Sequence, residues 1–136
     1  MLYMPAGRVW LICYLDIDNG YGNALNVMRT VKDFCRAGVA ALQIEDQTMP
    51  KRCGHFQGKS VVSKEEMTKK IMAARDYMDP DVMLIARTDA ISVKGLDEAI
   101  ERACAYGEAG ADIIFVEAPR NVEQLRTIVK NVPYPN

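Results

Sequence analysis

About half of a (β/α)8 barrel is the architecture this sequence predicts, and three observations predict it. Four strand-like apolar stretches are each followed by a helix-like one, an alternation that argues for a parallel sheet with right-handed crossovers. Each strand then ends in charge: Asp16 and Asp18, Glu45, Arg87, and Glu117. In a barrel those carboxyl ends meet on one face, where ligands bind. An open doubly wound sheet also places its ligand at strand ends, but would not gather four consecutive strands so evenly. The third observation is length. The chain has 136 residues, whereas a whole barrel takes about 250. Residues 1–136 therefore read as one partial barrel domain holding the central βα units, with early and late units missing. A free half-barrel has two unpaired sheet edges, which favour association. The expectation is a fragment, a truncated reading frame or one part of a larger assembly.

The elements follow in order. Residues 9–15 are almost continuously apolar, as a strand covered on both faces should be. The run is too short to cross a bilayer and is followed by acids, not by a small-residue cleavage site. After Asp16-Ile17-Asp18 comes a turn, Asn19-Gly20-Tyr21-Gly22-Asn23, with Asn23 as a candidate N-cap. A helix over 24–37 carries Val27, Val31 and Phe34 on one face and stops at Gly38. A second strand covers 39–44. Ser63-Lys64-Glu65-Glu66 has capping-box spacing and starts the next helix. Met67, Ile71, Ala74 and Met78 form its apolar stripe, and Asp79-Pro80 ends it. A third strand spans 82–86, and Leu96, Ile100 and Ala103 mark a third helix closing near Gly107 to Gly110. A fourth strand spans 112–116, and helix-start spacing at Asn121 to Gln124 opens a last helix reaching Lys130. Residues 37–45 and 109–117 form a faint repeat in which a helix stops at Gly and a strand leads to Glu. Met67, Met72, Met78 and Met83 read as core filling.

Composition narrows the function classes. With 49% hydrophobic and 26% charged residues the chain is an ordinary globular one. A formal net charge of -1 gives no electrostatic case for nucleic acid or an anionic membrane as partner. Cys13, Cys35, Cys53 and Cys104 include no C-x-x-C pair, which suggests reduced thiols and a cytoplasmic location.

Between the second strand and the helix at Ser63 lies a loop of about a dozen residues, long enough to be a functional flap. It contains Lys51-Arg52-Cys53-Gly54-His55, where neighbouring positive charge favours the Cys53 thiolate. A zinc site from Cys53 and His55 lacks a second ligand pair of usable spacing. Gly20-Tyr21-Gly22 alone is weak evidence for a phosphate cradle. The rim carries more weight. Asp16, Asp18, Glu45 and Glu117 put four carboxylates against one Arg87, and like charges packed together must take up protons or find a cation. One strand-end acid more often caps a helix or pairs with Arg. Four clustered acids suit a hard divalent ion, Mg2+ with Mn2+ as substitute, held partly through water.

The run Glu45-Asp46-Gln47 followed by Lys51-Arg52-Cys53-Gly54-His55 and Gly58-Lys59 closely resembles the signature of the isocitrate lyase / phosphoenolpyruvate mutase superfamily, on its lyase side. The resemblance extends from about Asp16 to Pro119; the first dozen residues match poorly. It implies that Asp16, Asp18 and Glu45 hold Mg2+, directly or through water, on the 2-oxo or 2-hydroxy carboxylate end of a substrate. It further implies that Arg87 stabilises a substrate carboxylate or oxyanion, that Glu117 belongs to the same pocket, and that Cys53 is the general acid. Gly54 and His55 are implied as substrate contacts on the flap. Gln43 lies in the pocket where many isocitrate and methylisocitrate lyases have His, and Asn19 replaces the more usual Thr. The implied activity is Mg2+-dependent carbon–carbon cleavage of a 2-hydroxy di- or tricarboxylate, such as 2-methylisocitrate or 2,3-dimethylmalate, by a homo-oligomer that is a tetramer in the family. An oxaloacetate-type hydrolase or decarboxylase is the first rival; the flap thiol argues against a phosphonate mutase. An inactive half-barrel serving as an assembly module is the rival of another class.

Overall fold

The computed structural model describes residues 12–52 and 58–136. Residues 9–11 of the first expected strand, and Cys53, Gly54 and His55 of the flap, lie outside the described residues.

The chain runs β1 (Tyr14–Asp16), α1 (Ala24–Ala37), β2 (Ala41–Glu45), α2 (Lys64–Tyr77), β3 (Met83–Thr88), α3 (Ala90–Lys94), α4 (Leu96–Glu108), β4 (Ile113–Val116) and α5 (Val122–Asn131). The strands form one parallel sheet in the order β1-β2-β3-β4. Each crossover steps to the next neighbour in the same direction, so the right-handed rule puts every helix on the same side. A doubly wound sheet would reverse its order and cover both faces. Burial agrees with the barrel arrangement. Leu42, Ile44, Leu84, Ala86 and Ile114 point to one face and are buried against Val27 and Val31 of α1, Met67, Ile71 and Ala74 of α2, and Ala99, Ala103 and Tyr106 of α4. The opposite face, the inside of a barrel, leaves Tyr14, Met83 and Phe115 exposed. The observed sheet is thus four consecutive units of a barrel wall.

Local signals explain the helices. Asn23 caps α1 by accepting the Leu25 and Asn26 amides, and Asn26 reciprocates, a capping box with Asn in place of Glu. Gly38 ends α1 in the left-handed conformation. Ser63 caps α2 by accepting the Glu66 amide, and Asn121 caps α5 by accepting the Gln124 amide. The repeat holds in outline: Gly38 and Gly110 both take positive φ where a helix gives way to a strand.

Two expectations need correction. The segment between the third and fourth strands holds two helices, because Gly95, at φ 97°, separates the five-residue α3 from α4. Met72 and Met83 are exposed, unlike buried Met67 and Met78. Met72 sits one position off the α2 stripe, a rotation of about 100°, and Met83 lies on the inner sheet face. Among the described residues, no helix is long and apolar enough to cross a membrane.

Candidate active site

Strand register gathers the rim. Asp16 is opposite Gln43, and Glu45 is opposite Arg87. Side chains alternate along a strand, so Asp16, Gln43, Glu45 and Arg87 share the inner face. The backbone ladder continues past the strand ends: the Glu45 amide donates to the Asp18 carbonyl at 2.8 Å, and the Glu117 amide to the Thr88 carbonyl at 2.9 Å. Asp18 itself is left-handed (φ 52°), as is Ala118 (φ 57°). Conformations of this kind in non-glycine residues persist only where their surroundings enforce them. At Asp18 the enforcement is visible. Its amide donates to the Asp16 carboxylate at 2.9 Å, and buried Lys70 reaches from α2 to the Asn19 carbonyl at 3.2 Å. Gly20 then turns at φ 80° where any Cβ would lie 2.4 Å from Val27. That glycine is required on two counts.

Of the rim acids, Glu45 is in the sharpest electrostatic conflict. Its side chain is only 1% accessible to solvent, and its Oε1 is buried with no hydrogen-bond partner among the described residues. The cations nearby stand off: Lys51 Nζ at 4.0 Å and Arg87 Nε at 3.5 Å. Burial pushes its carboxyl up to about 7, and the charges of Asp89 and Asp16 add to that, against the opposing pull of Arg87 and Lys51. A buried carboxylate oxygen with no hydrogen bond among the described residues, in the field of Asp16 and Asp89, fits a hard cation. Among the described residues, however, no three acids, cysteines or histidines close around one point as a ready-made cage. A divalent ion at this rim would therefore have to be held partly through water.

Arg87 is the hub of the rim. It bonds Asp89 through Nε at 2.9 Å and Nη2 at 3.1 Å, and Glu117 lies 3.7 Å away. Burial works against its charge, but Asp89, Glu117 and Glu45 together outweigh that and raise its pKa. Asp89 behaves conversely. Burial opposes its ionisation, yet the hydrogen bonds from Arg87 and from Lys59 at 2.8 Å hold its carboxyl below the usual range. Gln43 is buried and its Oε1 accepts from the Tyr14 hydroxyl at 2.7 Å, which orients the amide on the inner face.

The expected balance of four acids against one arginine is corrected by the flap. Lys51 binds the Asp18 carboxylate and Lys59 the Asp89 carboxylate, so the described flap lysines serve rim acids. The base of the flap is zipped. The Thr48 amide donates to the Ser60 carbonyl and the Val62 amide to the Asp46 carbonyl, both at 2.9 Å. The Gln47 side-chain amide grips the Arg52 backbone with two 2.9 Å bonds. Both stretches of chain that flank residues 53–57 are therefore anchored at the rim.

Sequence reasoning left a second cluster unassigned, on the helix side of the same strand ends. Asp46 is fully buried and accepts from Thr88 Oγ1 (2.8 Å), the Asp89 amide (2.9 Å), Arg102 Nη1 (3.1 Å) and the Tyr106 hydroxyl (2.8 Å). Arg102 also bonds Glu98 at 2.8 Å and the Val62 carbonyl at 2.9 Å. Burial, reinforced by the Asp46 charge, raises the Tyr106 pKa well above its ordinary value. The available signal was the Glu45-Asp46 pair itself: adjacent strand residues face opposite ways, so the two acids could not share one site.

The family model described as phosphoenolpyruvate phosphomutase matches residues 6–136, reaching further into the first dozen residues than the motif suggested. A 2,3-dimethylmalate lyase of Eubacterium barkeri is 57% identical over 119 residues, covering 87% of this chain and 41% of that protein. A 2-methylisocitrate lyase of Aeropyrum pernix is 53% identical over 121 residues, covering 89% and 39%. Among solved structures, oxaloacetate acetylhydrolase in complex with 3,3-difluorooxalacetate superposes with a TM-score of 0.85 at 43% identity, covering 90% of this chain and 42% of that one. Phosphonopyruvate hydrolase in complex with oxalate and Mg2+ gives 0.79 at 37%, covering 94% and 44%. The chain spans about two fifths of the length of the curated relatives it matches. A family model covering nearly the whole chain, over four successive barrel units with charged strand ends, leads to one conclusion: the chain belongs to the phosphoenolpyruvate phosphomutase family, within the PEP mutase/isocitrate lyase superfamily.

Proposed function

We propose that this chain carries the metal-binding and flap elements of a Mg2+-dependent carbon–carbon lyase acting on a 2-hydroxy di- or tricarboxylate of the 2-methylisocitrate or 2,3-dimethylmalate kind. One observation carries the reading: Glu45, buried and with no hydrogen bond to Oε1 among the described residues, stands on the rim with Asp16, Asp18 and Arg87. The names of the relatives supply the reaction class.

In this reading Asp16, Asp18 and Glu45 hold the ion, which when bound supplies Lewis-acid polarisation to the oxo-acid half of the substrate. Arg87, kept charged by Asp89 and Glu117, faces the negative charge that builds as the bond breaks. Gln43, its amide oriented by Tyr14, and Glu117 line the pocket. A base other than these residues takes the substrate hydroxyl proton as that carbon becomes the carbonyl of the oxo acid. The pair of the broken carbon–carbon bond leaves with the departing dicarboxylate, and Cys53 on the flap donates the proton that carbon needs, with Gly54 and His55 as substrate contacts. A flap closed over the rim also excludes the water that would otherwise quench this intermediate. The whole enzyme acts as a homo-oligomer in the cytoplasm.

The experiment is a turnover assay following pyruvate, glyoxylate and oxalate from candidate acids. Cys53→Ser should lower kcat by about 10²–10⁴-fold while binding of Mg2+ with oxalate persists. Undiminished turnover would refute the acid role. Release of oxalate from oxaloacetate in preference to lyase products would favour the hydrolase reading, which the likeness to oxaloacetate acetylhydrolase keeps in view.

A further inference from the structure

We infer that Lys51 is the resident counter-cation of the rim acids, occupying their negative field in the metal-free chain and having to withdraw before a divalent ion can bind. The inference rests on the metal reading above. Lys51 lies six residues beyond Glu45, where the chain has left the strand but has not yet entered the flap's Cys-Gly-His. Its ammonium bonds the Asp18 carboxylate, stands 4.0 Å from Glu45 Oε1, and lies within the field of Asp16 as well. One lysine thus addresses all three acids of the proposed metal set.

The remaining charges around it are accounted for. Arg87 bonds Asp89 and stands 3.5 Å from the other Glu45 oxygen, Oε2, and Lys59 bonds Asp89. Among the described residues Lys51 is the cation that pairs with both Asp18 and Glu45 Oε1. An ammonium and a divalent ion drawn to the same carboxylates repel each other strongly at contact distances. The lysine can leave without cost to the core: its side chain is 39% exposed, and its flexible methylene stem allows the charged end to swing to solvent. The backbone beside it cannot follow freely, because Gln47 clamps Arg52. Exchange of lysine for metal is therefore a side-chain event at the neck of the flap, two residues before Cys53.

The test is Mn2+ binding to the full chain by electron paramagnetic resonance or calorimetry, without substrate. Lys51→Met should bind Mn2+ at least about tenfold more tightly than the unaltered chain, since a contact charge is removed. That gain should persist from about 0.05 M to about 0.5 M KCl, because a contact is screened far less than a distant charge. Lys51→Arg, which keeps the charge, should stay near the unaltered affinity. Thermal melts give a second readout. Lys51→Met should melt lower without metal and gain more from saturating Mn2+. Equal or weaker Mn2+ binding by Lys51→Met, or a gain abolished by salt, overturns the inference. Asp18→Ala separates the two claims: if it binds Mn2+ as the unaltered chain does, the metal reading itself fails. If Asp18→Ala loses Mn2+ while Lys51→Met binds no more tightly, only the role of Lys51 falls. No Mn2+ uptake by the unaltered chain overturns both.

Discussion

Glu45 and Asp46 are neighbours in sequence, both acidic, both buried, and opposite in every other respect. Asp46 faces the helices and accepts four hydrogen bonds, two of them from Arg102 and Tyr106. Glu45 faces the barrel interior and has a buried oxygen with no partner among the described residues. A buried carboxylate that the fold satisfies completely ties β2, β3 and α4 together. A buried carboxylate left unsatisfied costs stability, and such a cost persists where a site requires it. The contrast separates scaffold from site within two residues.

Asp46→Ala tests that contrast most severely. It strands Arg102, whose side chain is 1% exposed, without its buried partner, and removes the acceptor of Thr88 and Tyr106. Loss of one member of a buried pair costs about 3–5 kcal/mol, so urea denaturation should show a loss of that size. A loss below about 1 kcal/mol would mean that Asp46 is no more structural than Glu45.

What the sequence disclosed and what it hid divide along the same line. The rim positions Asp16, Asp18, Glu45, Arg87 and Glu117 were legible because each ends an apolar run, and a run's end is a local signal. Asn23, Gly38 and Ser63 were legible as caps for the same reason. The partners were not. Asp46 meets Thr88, Arg102 and Tyr106 at separations of 42, 56 and 60 residues, and no periodicity encodes such pairings. Lys51 was read as company for Cys53, since sequence proximity was the only guide, and Lys59 only as part of the family signature; packing sends them to Asp18 and Asp89. The break between α3 and α4 was missed because Leu96, Ile100 and Ala103 mark a helical spacing in a segment that Gly95 divides.

Asp89 is an intermediate case, as buried as Asp46 but standing with the rim. Its carboxylate takes bonds from Arg87 and Lys59, each hydrogen bond to a charged group contributing about 1.5–3 kcal/mol. Because its pKa is lowered on folding, its contribution is fully present above the unfolded carboxylate value. It is lost as pH falls through the still lower folded value. Asp89→Asn should therefore be less stable than the unaltered chain by about 2–3 kcal/mol at pH 7. The two stabilities should begin to draw together as pH falls below about 4, the unfolded carboxylate value, and converge only once it passes the lower folded value. A difference that stays constant down to acid pH would assign the loss to packing and not to charge.

Glu45→Gln should produce the smallest change in stability and the most informative one. The substitution removes a charge that burial disfavours and that neither Lys51 nor Arg87 approaches more closely than 3.5 Å. It leaves the shape of the side chain intact. Metal-free stability at pH 8 should hold to within about 0.5 kcal/mol or rise, while the stabilisation that saturating Mg2+ gives the unaltered chain should shrink, since ligand-linked stability follows affinity. If the Glu45→Gln variant lost several kcal/mol with no metal present, Glu45 would be a scaffold residue like its neighbour. The distinction between satisfied and unsatisfied acids would then cease to locate the site. Stability kept and metal response lost would mean that the fold carries the buried, incompletely hydrogen-bonded carboxylate of Glu45 for the sake of an ion.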